Sequence, residues 1–253
     1  MIRETDSRFS FLSYNALSLL VYRPWWEEGI VHGMTLSDRS FGGEALYLEA
    51  KELCRAVGAD LLVALKQTHG DRVFDARVEV VGREISNDQG SCVQVGQCDA
   101  ILIPHKKNLS AKVLVYGVTT ADCVPVVIRG EEEWALVHAG WRGLANGIIK
   151  KVASTFGVIR EVAIFPCAGG ERYEVGKEVL EAIGASASYK NAVNGKFLLN
   201  TAETARNQLV EFVAGDRVAV SGICTISDRR FHSHRRDGLV AGRSLTFWTP
   251  TKR

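Results

Sequence analysis

Cys123 and His138 are the residues of this 253-residue chain best placed to do chemistry. They lie in Gly117–Gly143, GVTTADCVPVVIRGEEEWALVHAGWRG, fifteen residues apart. The thiol follows Asp122 and precedes the apolar run VPVVI; the imidazole closes the run WALV and opens His-Ala-Gly-Trp-Arg-Gly. Side chains at strand ends can converge from different elements, and loops held by rigid strands commonly carry function. Either residue alone would read as a small buried hydrophobe or a satisfied core histidine. Together, flanked by small residues and glycines, they point to a site.

A third candidate is His69, in Lys66-Gln67-Thr68-His69-Gly70 after the strand-like Leu61–Leu65. His69, Cys123 and His138 form a nitrogen and sulfur donor set that suits Zn²⁺. Three protein ligands would leave a fourth position open, as in catalytic zinc sites, where the metal lowers the pKa of bound water. Cu²⁺ could occupy the same ligands. Spacing alone leaves His32, His105, His232 and His234 as competitors, and His105, beside Lys106 and Lys107, reads as an exposed loop residue. A different chemistry uses the same atoms: Cys123 as nucleophile with His138 as its base, Asp122 orienting the imidazole, as in Cys-His amidases and deamidases. The second polar concentration is Phe231-His232-Ser233-His234-Arg235-Arg236-Asp237-Gly238, closing on Gly242-Arg243. Its adjacent arginines could cradle a phosphate or carboxylate. The competing reading is a solvated loop with ion pairs to Asp228 and Asp237.

Strands are expected over Phe9–Tyr22 (one or two), Leu61–Leu65, Asp99–Ile103, Val113–Val118, Val124–Ile128, Trp134–Val137, Arg217–Ile226 and Ser244–Trp248. Helices are expected over Glu44–Val57, stopped by Gly58, and Gly143–Phe156, stopped by Gly157. Two more are expected over Val175–Ile183 and Thr201–Val213, the latter with Asn200 as N-cap. The order lacks strict βαβ alternation, so the expected class is α+β (mixed α/β), with mixed β-sheets flanked by helices in a single domain, residues 1–253.

Composition narrows the function classes. Thirty-one Lys plus Arg against 29 Asp plus Glu leaves a net charge of +2, so no nucleic-acid partner is expected. The six cysteines include no C-x-x-C pair, which fits reduced thiols in a cytoplasmic protein better than a disulfide framework. Phe9–Tyr22 is interrupted by Asn15 and three serines and reads as strand rather than leader. No stretch approaches the roughly 18 apolar residues of a spanning helix, so no membrane partner is expected. No feature sets an oligomeric state.

Five segments occur in order: Gln67-Thr68-His69-Gly70, Ala121-Asp122-Cys123-Val124-Pro125, His138-Ala139-Gly140-Trp141-Arg142-Gly143, Tyr173-Glu174-Val175-Gly176 and His234-Arg235-Arg236-Asp237-Gly238…Gly242-Arg243. With them the chain resembles the YfiH/YlmD family, once labelled laccase-type multicopper polyphenol oxidoreductase and now described as purine nucleoside phosphorylase. The resemblance implies one zinc on His69, Cys123 and His138. It also implies phosphorolysis of adenosine, inosine or methylthioadenosine and deamination of adenosine, some members being connected instead with editing of peptidoglycan precursors. On that basis the partners are a small-molecule nucleoside and phosphate. The catalytic residues are Cys123, His138 and Asp122 (acid/base or orienter), and the substrate or anion contacts are Gln67, Arg142, Arg235 and Arg236. The chain departs from the family pattern at Thr35–Gly43, where the usual Thr-Arg-x-Gly-Gly is altered, and in the following helix, which lacks an Asn-Arg pair. It departs again at Phe165–Arg172, where two thiols of the family's Gly-Pro-Cys-Cys region are missing.

Overall fold

The computed structural model describes residues 6–78, 91–104 and 112–252. Seven strands form the first sheet: β1 (Phe9–Tyr14), β2 (Leu17–Tyr22), β3 (Ile30–Thr35), β4 (Leu61–Leu65), β6 (Cys92–Val95), β8 (Leu114–Thr120) and β16 (Ser244–Lys252). Their spatial order is β1-β2-β3-β16-β8-β4-β6. The second sheet comprises β5 (Val73–Asp75), β7 (Ala100–Pro104), β9 (Val124–Gly130), β10 (Glu133–Ala139), β11 (Ile159–Ile164) and β15 (Val218–Val220), in the order β15-β11-β9-β10-β7-β5. Both sheets are mixed, with β4–β8 and β11–β15 parallel and β8–β16 and β9–β10 antiparallel. A small third sheet joins β12 (Glu174–Val175), β13 (Tyr189–Asn191) and β14 (Phe197–Leu199). The α+β class expected from element order is the one observed.

Period-two alternation explains the layering. In β4, Val63 and Leu65 face the other sheet, packing with Trp25, Trp134, Phe165 and Trp248. Leu62 and Ala64 face α2 (Ala45–Val57), whose Leu46, Ala50, Leu53 and Val57 form its apolar stripe. In the second sheet Val127 and Leu136 point to that shared core. Val124, Val126, Ala135 and Val137 point outward, under a helical layer of α3 (Trp141–Ala145), α4 (Ile148–Ala153), α5 (Lys177–Ile183) and α6 (Thr201–Asn207). Strands buried on both faces read as continuous apolar runs, as VPVVI and WALV do.

Several boundaries differ from the sequence expectation. The helix expected over Gly143–Phe156 is split into α3 and α4 because Gly147 sits at φ +72°, a left-handed conformation that ends one turn and starts the next. Glu174 and Val175 pair with Leu198 and Phe197, so α5 begins only at Lys177. Asn200 caps α6 as expected, its side chain accepting from Glu203 N at 3.1 Å, but the helix ends at Asn207. Only Val218–Val220 of Arg217–Ile226 is strand. Five-residue α1 (Arg23–Glu27), β3 and β11 had no sequence expectation. No helix among the described residues is long and apolar enough to cross a membrane.

Candidate metal centre

The chain passes from the first sheet to the second at Ala121–Cys123, between the end of β8 and the start of β9. β9 begins beside the end of β10, where His138 pairs with Pro125 and Ala139 with Val124. β4 runs parallel to β8 and so ends at the same rim, delivering the loop Lys66–Gly70. Cys123, His138 and His69 thus meet from a turn, a strand end and a loop. One donor atom from each lies within 4.8 Å of the others, and the two imidazoles are edge-to-face at 4.9 Å.

Sequence reasoning missed the residue that organises this cluster, Asp99. Fully buried just before β7, it accepts from the backbone N–H of Thr68, His69 and Gly70 at 3.2, 2.9 and 2.8 Å and from the Thr68 hydroxyl at 3.0 Å. It also accepts from His138 Nδ1 at 2.8 Å. An ionised carboxylate can only accept, so Nδ1 carries the proton and Nε2 is the nitrogen left for the cluster. Burial alone would raise the Asp99 pKa, but the bonds from His138 and the loop amides hold it well below the usual carboxylate range. The signal was present in the sequence: an acid heading the apolar run Ala100–Ile103 must find donors or stay exposed.

Cys123 and His138 polarise each other. Burial disfavours the thiolate, yet the adjacent imidazolium charge and hydrogen bonds from both histidines bring the Cys123 pKa down to about 6. Burial likewise disfavours the His138 cation, which the Cys123 charge and Asp99 restore, raising it to about 9. A thiolate beside an imidazole suits metal ligation or nucleophilic attack.

Glycines make room. A Cβ at Gly140 would stand 3.1 Å from Cys123 Sγ and 3.5 Å from His69 Cδ2, and one at Gly143 would stand 3.0 Å from the Gly70 carbonyl. His69 itself is left-handed, at φ +61°. A cavity of about 80 Å³ opens over the cluster, walled by His69, Asp122, Cys123, Trp141, Arg142 and Tyr173, among others.

The remaining expected residues divide. Asp122 lines the cavity, but its carboxylate accepts from the Thr225 hydroxyl at 2.7 Å and Arg235 N at 2.6 Å. It therefore holds the turn, at a strained φ of +95°, and Asp99 has the orienting role expected of it. Both ends of the Gln67 amide bond Thr119, at 2.8 Å to its carbonyl and 2.8 Å from its N–H. Arg142 is exposed on the cavity wall, stacked over Trp141 at 4.4 Å. Arg235 stacks over Tyr173 at 4.7 Å and donates to the Glu174 carbonyl. Arg236 is turned away into structure, donating to Asp237 and to the carbonyls of Thr225, Phe231 and Asp228. Those contacts use the five N–H donors of a guanidinium. His32 and His232 are bound to backbone elsewhere, and His105–Lys107 lie outside the described residues.

Fold and donor set define a mixed α+β protein with a His–Cys–His cluster able to hold a metal. Residues 43–249 match the family model described as "Multi-copper polyphenol oxidoreductase laccase". A "Purine nucleoside phosphorylase" of Xylella fastidiosa is 33% identical over 185 residues, covering 68% of this chain. The match takes in 66% of that relative, so the chain spans just under two thirds of its length. A namesake from Aquifex aeolicus is 32% identical over 78% of this chain and 89% of its own. "Adenosine deaminase RL5", from an unknown prokaryotic organism, is 30% identical over 85% of this chain and 86% of its own. The fold matches YlmD of Geobacillus stearothermophilus with a TM-score of 0.78 at 21% identity, covering 98% of this chain and 100% of that one. The chain belongs to the YfiH/YlmD family.

Proposed function

We propose that residues 1–253 form one enzyme domain in which His69, Cys123 and His138 hold a zinc ion and act on purine nucleosides, by phosphorolysis and by deamination of adenosine. The observation that carries this reading is the convergence of the three donors within 4.8 Å, with His138 fixed by the buried Asp99. The donor types fit the metal: bonds of about 2.0–2.3 Å to a common tetrahedral centre set ligand atoms roughly 3.3–3.8 Å apart, so the cluster would tighten by about 1 Å on binding, and an open fourth position is the mark of a catalytic zinc. When bound, zinc would supply Lewis acidity at that position. Asp99 would keep a proton on His138 Nδ1, so that Nε2 is the nitrogen that would give up its proton to the metal. The lowered thiol pKa keeps Cys123 ready to ligate at neutral pH, and Arg142, on the wall, would meet an anionic group. Relatives named purine nucleoside phosphorylase and adenosine deaminase support the substrate class.

A panel of nucleosides assayed with and without phosphate, alongside elemental analysis, tests this. About one zinc per chain and cleavage or deamination of adenosine are expected, both lost in Cys123→Ala.

A second reading draws on the Cys123–His138–Asp99 array, which is also the order of nucleophile, base and orienter in a Cys-His amidase. Full activity in protein shown to be metal-free, abolished by thiol alkylation, would favour it.

A further inference from the structure

The cavity over the cluster, at about 80 Å³, is below the roughly 300–1,000 Å³ of ordinary small-molecule sites. A second cavity of about 680 Å³ lies between the loop leading into α2 and the approach to β16, and includes Gly42, Tyr47, Thr119, Val240, Gly242 and Arg243. The two are neighbours. Thr119 lines the second cavity and Asp122 the first, and three residues of chain span at most about 11 Å. Ser244, next in the chain to Arg243, pairs with Thr120, which is three residues from Cys123.

Arg243 is the distinctive group in this wall. Its Nη1 donates to the carbonyls of Ala241 and Gly242, both at 2.8 Å. Those bonds fix the guanidinium plane while Nε and Nη2 make no hydrogen bond and meet no carboxylate among the described residues. The surroundings are shaped to it. A Cβ at Gly42 would stand 3.0 Å from Arg243 Cγ, and one at Gly242 would stand 2.4 Å from His232 Cε1 and 2.7 Å from Ser40 Oγ. Two hydrogen bonds, Phe41 N–H to the Arg243 carbonyl and Arg243 N–H to the Ser40 side-chain Oγ, tie the two walls together. Tyr47 and Val240, 38% and 89% exposed, flank the opening with apolar surface. Glu44 stands exposed on the same wall, an acceptor for hydroxyl groups.

We infer that this second cavity binds a phosphate-type oxyanion through the free edge of Arg243, and that it takes the larger part of a ligand whose reactive end lies at the His–Cys–His cluster. This assignment rests on the nucleoside reading for the identity of that ligand. Two N–H groups on one edge of a fixed guanidinium match two oxygens of a phosphate. The oxyanion is either free phosphate or a phosphoryl group carried by the nucleoside.

Calorimetric titration of the purified protein with inorganic phosphate, adenosine monophosphate and adenosine tests the inference. Phosphate or the monophosphate is expected to bind, and Arg243→Ala to weaken that binding roughly ten- to hundredfold, the loss of a charge-assisted contact. Val240→Glu, at an exposed position where folding is safe, should weaken it severalfold by repulsion. Phosphate binding that persists beside adenosine identifies the free anion as the source. A monophosphate bound more tightly than adenosine, with the difference erased in Arg243→Ala, identifies the carried group. The inference is overturned if neither anion binds, or if both variants bind as the unmodified protein does. Arg243-dependent anion binding without any nucleoside turnover would sink the nucleoside reading and leave the site. Nucleoside turnover with anion binding indifferent to both variants would do the opposite.

Discussion

Asp99 and His138 share a 2.8 Å hydrogen bond at the end of the second sheet, both almost wholly withdrawn from solvent. The same carboxylate gathers the amides of Thr68, His69 and Gly70, so one buried charge positions two of the three cluster residues. Asn at position 99 would keep the shape but present an NH₂ group to the donors of the loop or of His138. A buried donor left facing another donor costs about 1–3 kcal/mol. Second-sphere losses typically cost 10- to 100-fold in metal affinity. Asp99→Asn should therefore lower zinc affinity by about that factor, measured by chelator competition. Unchanged affinity would remove Asp99 from the organisation of the site.

Gly140 leads to a second prediction. Its φ of −72° suits any residue, so a substitution there acts through space alone. The added Cβ would press on Cys123 Sγ at 3.1 Å, and overpacking of this kind costs about 1–3 kcal/mol. Gly140→Ala should weaken metal binding at least tenfold while the circular dichroism spectrum stays that of the native fold, and Gly140→Val should abolish binding. Native affinity in the valine variant would show that the cluster has slack the structure does not contain.

What was legible in the sequence followed from its periodicities and from chemistry local in the chain. The runs around Cys123 and His138 announced buried strands, and Asn200 announced a cap, because each signal is read within a few residues. His69, Cys123 and His138 were legible as donors, though their meeting depends on β4 and β8 running parallel, which no local pattern specifies. Arg236 shows the limit most clearly. Its neighbours suggested an anion cradle, but the carbonyls that occupy it come from a fold-back of Thr225 and Phe231. Asp99 was passed over for the converse reason: its partners lie some thirty residues before it and thirty-nine after it in the chain.

Arg236 consequently acts on stability. Its bonds to the Thr225 and Phe231 carbonyls, at 2.7 and 2.9 Å, are each worth about 0.5–1.5 kcal/mol net. Arg236→Ala should destabilise the protein by about 2 kcal/mol, and so lower Tm by roughly 4–8 °C at the 2–4 °C per kcal/mol of a chain this size. Differential scanning calorimetry checks this. An unshifted Tm together with a selective loss of phosphate-dependent activity would return Arg236 to the binding site.

The family description mentions copper and laccase, and the donor inventory argues against that chemistry as this chain's mechanism. A blue-copper centre needs two histidines, a cysteine and a weak axial ligand, and a multicopper oxidase needs further imidazole-rich sites. The chain has six histidines and two methionines, and the described residues contain one His/Cys/Asp/Glu group arranged to hold a metal. Copper added in vitro should bind the His–Cys–His cluster in preference to zinc, since Cu²⁺ outranks Zn²⁺ for such donors, and could give slow phenol oxidation. Protein purified without added copper should show no intense blue absorption band and no multi-turnover reduction of oxygen. Observation of both would overturn this.

One local device recurs at three distant places. In Asp6-x-Arg8, Asp75-x-Arg77 and Asp228-x-Arg230 the carboxylate accepts from the backbone N–H and the guanidinium of the arginine two residues on. At Asp6 and Asp75 the arginine hydrogen bond outweighs burial, and at Asp228 the sum of its arginine bonds and charges does, so all three pKa values fall below the ordinary aspartate value. The sign follows directly. A folded-state pKa below the unfolded one, about 3.9, means that the unfolded chain binds more protons once the pH drops toward 4. The stabilisation is complete above the unfolded pKa and is lost as the pH falls through the folded values. Thermal melting between pH 7 and pH 2 should show stability falling below about pH 4. Asp75→Asn, which has no carboxylate to protonate, should be less stable than the unmodified protein at pH 7 and should approach it at pH 2. A constant gap between the two across that range would mean that the Asp75–Arg77 pair contributes nothing through its charge.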